Sequence, residues 1–383
     1  MTTVMTFVGT RPELIRLSAV IGRLSATVHH ILVHSGQNWH PGLRDVFFDD
    51  LRLPQPDHRL DVDTASLGRV FAGVLLGAER LIEAEKPDAV LVLGDTNSCL
   101  AALMARRMRI PVYHMEAGNR CFDLNVPEET NRRLIDHVAD FNLVYTEHAR
   151  RNLLAEGLHP RRILLTGSPM REVLERHRPA IAASDVLDRI GVRAGEYFVV
   201  SAHREENVDD PARLGRLLAC LRAVRQRWGL PVVVSTHPRT RNRLAAAGLE
   251  AAGTDDDPGI VFHEPFGFLD YVRLQQDARC VLSDSGTLGE EAAMCGFPAV
   301  TLRDSIERPE ALDAGTLIMT GLDPDGVVEA VTVTLDQVGA GGVPCPPEYR
   351  IADTSRRVTN FILSTVRRHH EWAGIRVPEG SGG

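Results

Sequence analysis

Lysine is almost absent from this 383-residue chain: Lys86, in "EAEKPDAV", is the only one. A phosphate-binding loop that ends in Gly-Lys-Ser/Thr needs a lysine at a fixed place, and so does a Schiff-base site for pyridoxal phosphate. Lys86 precedes Pro87 at the end of a helical stretch and suits neither. Paired cysteines are also missing. Cys99, Cys121, Cys220, Cys280, Cys295 and Cys345 are scattered without a Cys-x-x-Cys pair, which argues against a disulfide framework and a zinc site. No stretch has the length and apolarity of a membrane span. The N-terminus "MTTVMTFVGTRPE" lacks the charged leader and apolar core of a signal peptide, so the expectation is a reduced, cytoplasmic protein with no membrane partner. A net charge of −8 and an isoelectric point near 6.0 argue against nucleic acid as a partner, although clustered arginines still suit a small anion.

What is present is a globular composition, 44% hydrophobic, at a length that suggests two or three domains. Apolar runs of strand length alternate with helical periodicity: "VMTFVG", "HHILVHSG", "AVLVLGD", "PVYHMEAG", "FNLVYTE" and "RILLTGS". The pattern then restarts with "YFVVSAH", "PVVVSTH", "GIVFHEP", "RCVLSDS", "PAVTLR" and "TLIMTG". Such alternation predicts an α/β fold of two domains with parallel sheets. The expected domains are 1–175, completed by a C-terminal helix over 355–372, and 176–354, followed by a flexible tail at 373–383. In open parallel sheets ligands sit beyond the carboxyl ends of the strands, and two such sheets facing one another would form a cleft.

Several strand exits carry chemistry. Arg11, in "GTRPE", enters a helix whose first N–H groups could hold phosphate, or the segment is an ordinary βα turn. Asp95, in "GDTNS", reads as a helix N-cap or as a catalytic carboxylate. Glu116, in "HMEAGNR", has little helical work to do; its alternative is a salt bridge to Arg120. Glu128 and Glu129 follow Pro127, where acids favour the helix dipole, and one of them could instead point toward Glu116. His203 and His237 leave successive strands next to Arg204, Arg239 and Arg241, which reads as an anion site or as surface histidines. Ser285 and Gly286 open a helix that could hold a diphosphate, and Glu290 or Glu291 could accept from a ribose diol or merely offset the dipole.

Taken in order, "GTRPE", "GDTNS", "HMEAGNR", "PEETNR", "AHREEN", "DSGTLGEEA" and "RDSIERPEA" resemble the non-hydrolysing UDP-N-acetylglucosamine 2-epimerases along nearly the whole chain. The resemblance implies the GT-B arrangement of two Rossmann-like domains, no cofactor, no metal, and a homodimer. It also implies inversion at C2 of a UDP-N-acetylamino sugar, through loss of UDP to a glycal and re-addition. Carried over by position, Asp95, Glu116, Glu128 and His203 are its catalytic residues. Arg11, Arg16, His203, His237, Ser285, Gly286, Glu291 and Arg308 are its UDP or phosphate ligands, with Arg303 and Glu310 nearby. Arg16 stands where many members have lysine. "GNRCFD" and "GQN" resemble most the branch of capsule and O-antigen pathways that includes UDP-N-acetyl-L-fucosamine synthases. The segment Gln37 to Leu43, "QNWHPGL", departs from that of the allosterically activated members. Two rivals remain: a GT-B glycosyltransferase, which would consume the sugar nucleotide only with an acceptor, and a nucleotide-sugar sensor, which would bind without turnover.

Overall fold

The computed structural model describes residues 1–36, 51, 53–246 and 258–376. The segment 37–43 and the tail from 377 onward lie outside the described residues. The chain divides into two compact units: Met1–Glu175, resumed at Ile351, and Arg176–Arg350.

The first unit holds a seven-stranded parallel sheet of β1 (Thr3–Val8), β2 (His29–His34), β3 (His58–Arg59), β4 (Ala89–Leu93), β5 (Val112–Met115), β6 (Phe141–Val144) and β7 (Ile163–Leu165), in the order β3-β2-β1-β4-β5-β6-β7. The period of two along β1 explains why helices cover both faces. Val4 and Val8 enter one apolar cluster with Leu17, Val20 and Leu24, whereas Met5 and Phe7 enter another with Val74, Ala78 and Ala102.

The C-terminal segment belongs to the first cluster. Val358, Ile362 and Val366 pack there, and Tyr113 Oη lies 2.6 Å from Thr365 Oγ1. Truncating Ile362 to alanine would cost about 2–5 kcal/mol by the usual price of a buried cavity. The single helix expected over 355–372 is in fact two, Thr354–Thr365 and His369–Ala373, and the break turns His369 inward to within 3.1 Å of Asp140 Oδ1.

The second unit repeats the plan with β8 (Phe198–Ser201), β9 (Val232–Ser235), β10 (Ile260–His263), β11 (Cys280–Ser283), β12 (Ala299–Thr301) and β13 (Ile318–Met319), ordered β10-β9-β8-β11-β12-β13 and again all parallel. Counted within each unit, both sheets run 3-2-1-4-5-6, and the first adds a seventh strand at its end. The strand order therefore reverses between β1 and β4 in one unit and between β8 and β11 in the other, the places where such sheets bind ligands.

Among the helices unannounced by the sequence pattern are Pro238–Ala246, Phe268–Asp277 and Pro324–Gly341. In Pro324–Gly341, the run "VVEAVTVTL" has the β-branched content of a strand. The Asp323 carboxylate accepts from Gly326 N at 3.2 Å, Pro324 sits in the first turn, and Val327, Ala330, Val331 and Thr334 are buried at helical spacing. Capping and tertiary burial override the local preference.

Candidate active site

Glu13 joins two strand exits of the first unit. Its Oε2 accepts from Gly9 N at 3.0 Å and Thr10 N at 2.8 Å; its Oε1 accepts from Ser98 Oγ at 2.6 Å and Thr96 Oγ1 at 3.0 Å. Burial pushes its pKa up, against the hydrogen bonds from Ser98, Thr10, Gly9 and Thr96. The turn after β1 is thereby clamped to the turn after β4. Arg11, next to it, is held partly out of water, and this burial lowers its pKa.

Asp95 follows β4. It is not a helix cap: the short 3₁₀ turn Asn97–Leu100 has Thr96 at its N-cap. Asp95 Oδ2 instead accepts from Arg132 Nη2 at 2.7 Å and Nε at 3.1 Å, while Asn131 Nδ2 donates to the Asp95 carbonyl at 2.9 Å. Its pKa is raised, first by burial. The Arg132 charge opposes the rise, and the charges of Glu116 and Glu128 reinforce it. Because the side chain still keeps 25% of its surface, it remains reachable.

Glu116, one strand over, adopts φ = +63°, a conformation rare outside glycine, asparagine and aspartate. Its carboxylate pairs with Arg16. The alternative pairing with Arg120 does not occur. Arg120 is buried and turned toward Asp136 at 2.7 Å and Glu156 at 2.6 Å, because the tight turn at Gly118 sends its side chain inward. Arg16, expected as a phosphate ligand, thus lies in a site that already holds a carboxylate.

The neighbours Glu128 and Glu129 separate cleanly. Glu129 is buried, accepting from Cys121 N at 3.2 Å, Arg132 Nη1 at 3.1 Å and Arg133 Nε at 3.0 Å. Burial would raise its pKa, but these donors outweigh it and hold it below the usual value. Glu128 is exposed on the first turn of the helix Pro127–Val138, and its charge reaches Asp95. Arg132, one helical turn from Glu129, therefore ties a structural carboxylate to a reachable one. Sequence reasoning assigned no role to Arg132, Glu13 or Asp136; the Glu-x-x-Arg spacing of Glu129 and Arg132 was the one available signal.

In the second unit the exits are richer in cations. Asp284, fully buried after β11, accepts from His203 N and Arg204 N at 3.1 and 3.0 Å and from Asn207 Nδ2 at 3.1 Å. This fixes the β8 exit, with the His203 ring 42% exposed and 5.6 Å from the ring of His237. Ser285 Oγ lies 2.9 Å from Thr287 Oγ1. Gly286 passes so close to Arg204, Glu307 and Arg303 that an added Cβ would meet Arg204 Nη2 at 3.2 Å. Ser285, Gly286, Thr301, Arg303, Ile306 and Arg308 line a pocket there.

Glu291 accepts from Gln275 Nε2 at 2.8 Å and Thr287 Oγ1 at 2.7 Å, which leaves each oxygen a second lone pair. Arg308 is buried against Glu290, and Arg303 pairs with Glu307 through both of its terminal nitrogens. Glu310 accepts from Tyr349 Oη at 2.6 Å. Among the described residues no helix is long and apolar enough to cross a membrane.

Comparison with known proteins adds an independent line. The sequence model of the family described as UDP-N-acetylglucosamine 2-epimerase matches residues 23–363. A structure of UDP-N-acetylglucosamine 2-epimerase from Rickettsia bellii is 42% identical, covers 98% of this chain and 100% of its own, and superposes with a TM-score of 0.90. A crystal structure of Methanocaldococcus jannaschii UDP-GlcNAc 2-epimerase in complex with UDP-GlcNAc and UDP is 31% identical, covers 95% and 100%, and gives a TM-score of 0.88. A UDP-2,3-diacetamido-2,3-dideoxy-D-glucuronate 2-epimerase of Pseudomonas aeruginosa is 34% identical over 338 residues, 87% of this chain and 92% of its own.

Proposed function

The chain belongs to the UDP-N-acetylglucosamine 2-epimerase family, and from that premise we propose that it interconverts UDP-N-acetylglucosamine and UDP-N-acetylmannosamine by reversible inversion at C2. The observation that carries the reading is Asp95, a reachable carboxylate with a raised pKa. Arg132 grips it, it feels the charges of Glu116 and Glu128, and it stands one strand from Glu116.

C2 is not adjacent to a carbonyl, so no enolate stabilises the charge left by its proton. Loss of the proton is coupled to cleavage of the C1–O bond: UDP leaves with the electron pair, and a 2-acetamidoglycal remains. Return of a proton to the opposite face of C2, with re-addition of the diphosphate oxygen at C1, completes the inversion and balances the atoms. Asp95, Glu116 and Glu128 serve as the acid and base groups, with His203 assisting departure of UDP. Cations hold the developing charge on the diphosphate, and Arg11, Arg16, His203, His237 and Arg308 are assigned there with the Ser285–Gly286 turn; Glu291 takes the ribose. The enzyme needs no metal or cofactor, works as a homodimer and resides in the cytoplasm.

A second substrate reading keeps the chemistry and changes the sugar to a 6-deoxy or C4-altered relative, of the UDP-N-acetyl-L-fucosamine synthase type. The segment "GNRCFD" supports it. The test is incubation with UDP-N-acetylglucosamine in D₂O, followed by NMR. Deuterium at C2 together with a UDP-N-acetylmannosamine signal is expected. Absence of both, with exchange on a 6-deoxy or C4-altered UDP-sugar, would move the assignment to the second reading. Sedimentation at working concentration checks the dimer.

A further inference from the structure

The strained backbone of Glu116 requires something to hold it. An αL conformation at a non-glycine residue costs about 1–3 kcal/mol and persists only where the surroundings over-determine it. The surroundings here are a buried polar knot behind the β5 exit. Asp136 is fully buried, and its two oxygens accept from Gly118 N at 3.1 Å each and from Arg120 Nη1 at 2.7 Å. Its own carbonyl accepts from Asn142 Nδ2 at 2.9 Å, so the acid is fixed at both ends.

His114, also fully buried, stands between Asp136 and the neighbouring strand. Its Nε2 donates to the carbonyl of Gly94 at 2.7 Å, and its Nδ1 stands 3.0 Å from Asp136 Oδ1 as a close polar contact rather than a hydrogen bond. Gly94 immediately precedes Asp95, and an added Cβ there would lie 3.6 Å from Glu116 Oε2. The imidazole therefore spans the exits of β4 and β5, touching the backbone just before one carboxylate through one nitrogen and the acid that anchors the turn after the other through the second.

We propose that His114 and Asp136 are a positioning pair for proton transfer at C2: together they fix the spacing and orientation of Asp95 and Glu116. The inference rests on the reading of those two carboxylates as acid and base groups. Neither His114 nor Asp136 touches substrate in this account. Their effect falls on the geometry of the groups that do, and a misplacement of about 1 Å costs about a hundredfold in rate.

The test compares the full-length parent with Asp136→Asn, His114→Leu and His114→Gln. The glutamine keeps an N–H for the Gly94 carbonyl, and the leucine keeps bulk without it. Epimerisation rates, the primary deuterium isotope effect with substrate labelled at C2, and thermal unfolding are measured on each. Asp136→Asn and His114→Leu are expected to lower kcat by about 10- to 100-fold with KM held within about threefold, and to enlarge the isotope effect as proton transfer becomes limiting. His114→Gln should recover part of the rate.

Folded variants with a parental kcat, or with an unchanged isotope effect, would overturn the proposal, as would equal rates for glutamine and leucine. Should Asp136→Asn fail to fold, the two His114 variants decide. An inactive parent, or a fully active Glu116→Gln protein, would fail the functional reading itself, a result separate from the ranking of these variants.

Discussion

The two units share one strand order and differ in what they place at the strand exits. In the first, Glu13, Asp95 and Glu116 leave β1, β4 and β5, with Arg132 on Asp95 and Arg16 on Glu116. In the second, His203 with Arg204, His237 and Arg303 leave β8, β9 and β12, organised by the buried acids Asp284 and Glu307. Each unit also buries one aspartate that collects turn N–H groups, Asp136 at Gly118 and Asp284 at His203 and Arg204. The backbone plan is thus neutral toward chemistry: the exit residues give one unit carboxylates gripped by arginines and the other histidines and arginines organised by buried acids.

The sharpest way to break this contrast is through the carboxylates. Asp95→Asn and Glu116→Gln should each lower kcat by about 10²–10⁴-fold, the usual worth of a positioned acid or base, while calorimetry finds UDP binding retained. Near-parental turnover in both would remove the proton-transfer role from the first unit.

Next come the glycines. Gly118 has φ = +82°, and an added Cβ would lie 2.4 Å from the Ala149 carbonyl oxygen; Gly118→Ala should cost more than about 2 kcal/mol in denaturant unfolding, through clash and αL strain together. Gly286 has ordinary φ and meets only side-chain tips at 3.2 Å or more. Gly286→Ala should therefore leave unfolding within about 1 kcal/mol of the parent and appear in UDP affinity instead, because it displaces Arg204 and Glu307. Equal stability losses in both would erase the distinction between a turn locked against backbone and one crowded only by side-chain tips.

The smallest effect is a shift along the pH axis. Burial and the nearby acids raise the pKa of Asp95, so under the proposed proton-transfer role a rate that uses its base form is expected to fall as pH drops through a value above the ordinary aspartate range. Arg132 opposes that rise. Arg132→Gln should move the acid limb of kcat/KM to higher pH, and a limb that stays in place or moves down would detach it from Asp95. Glu129, touched by the same arginine, has the opposite sign. Its depressed pKa contributes stability that is present above the ordinary glutamate range and lost as pH falls through the depressed value, so Arg132→Gln should also lessen acid sensitivity of unfolding.

Much of this was legible along the chain. Most strands are short apolar runs with both faces buried, a pattern that needs no partner to be read: Ala89–Leu93 is buried at every position, whereas the edge strand His58–Arg59 is polar, partly exposed and was not legible. Asp95, Glu116, His203 and Ser285 each fall within two residues of a strand end, so chain order alone brought them to strand exits. The helix Pro324–Gly341 was not legible, because valine and threonine favour a strand until burial on one helical stripe decides otherwise.

The sequence by itself determined two α/β units and a set of acids, histidines and arginines standing at their strand exits. Those follow from local periodicity and from residues adjacent to it. Only the tertiary structure decided which charges meet. Arg16 reaches Glu116 across 100 positions, Arg132 takes Asp95 across 37, and Arg120 turns away from the nearby Glu116 to Asp136. Pairing depends on strand order and on the inward or outward turn of each exit, and a one-dimensional pattern carries neither. The same physics separated Glu128 from Glu129: adjacent in the chain, they point in different directions from one helical turn, so one is buried under Arg132 and Arg133 and the other faces water.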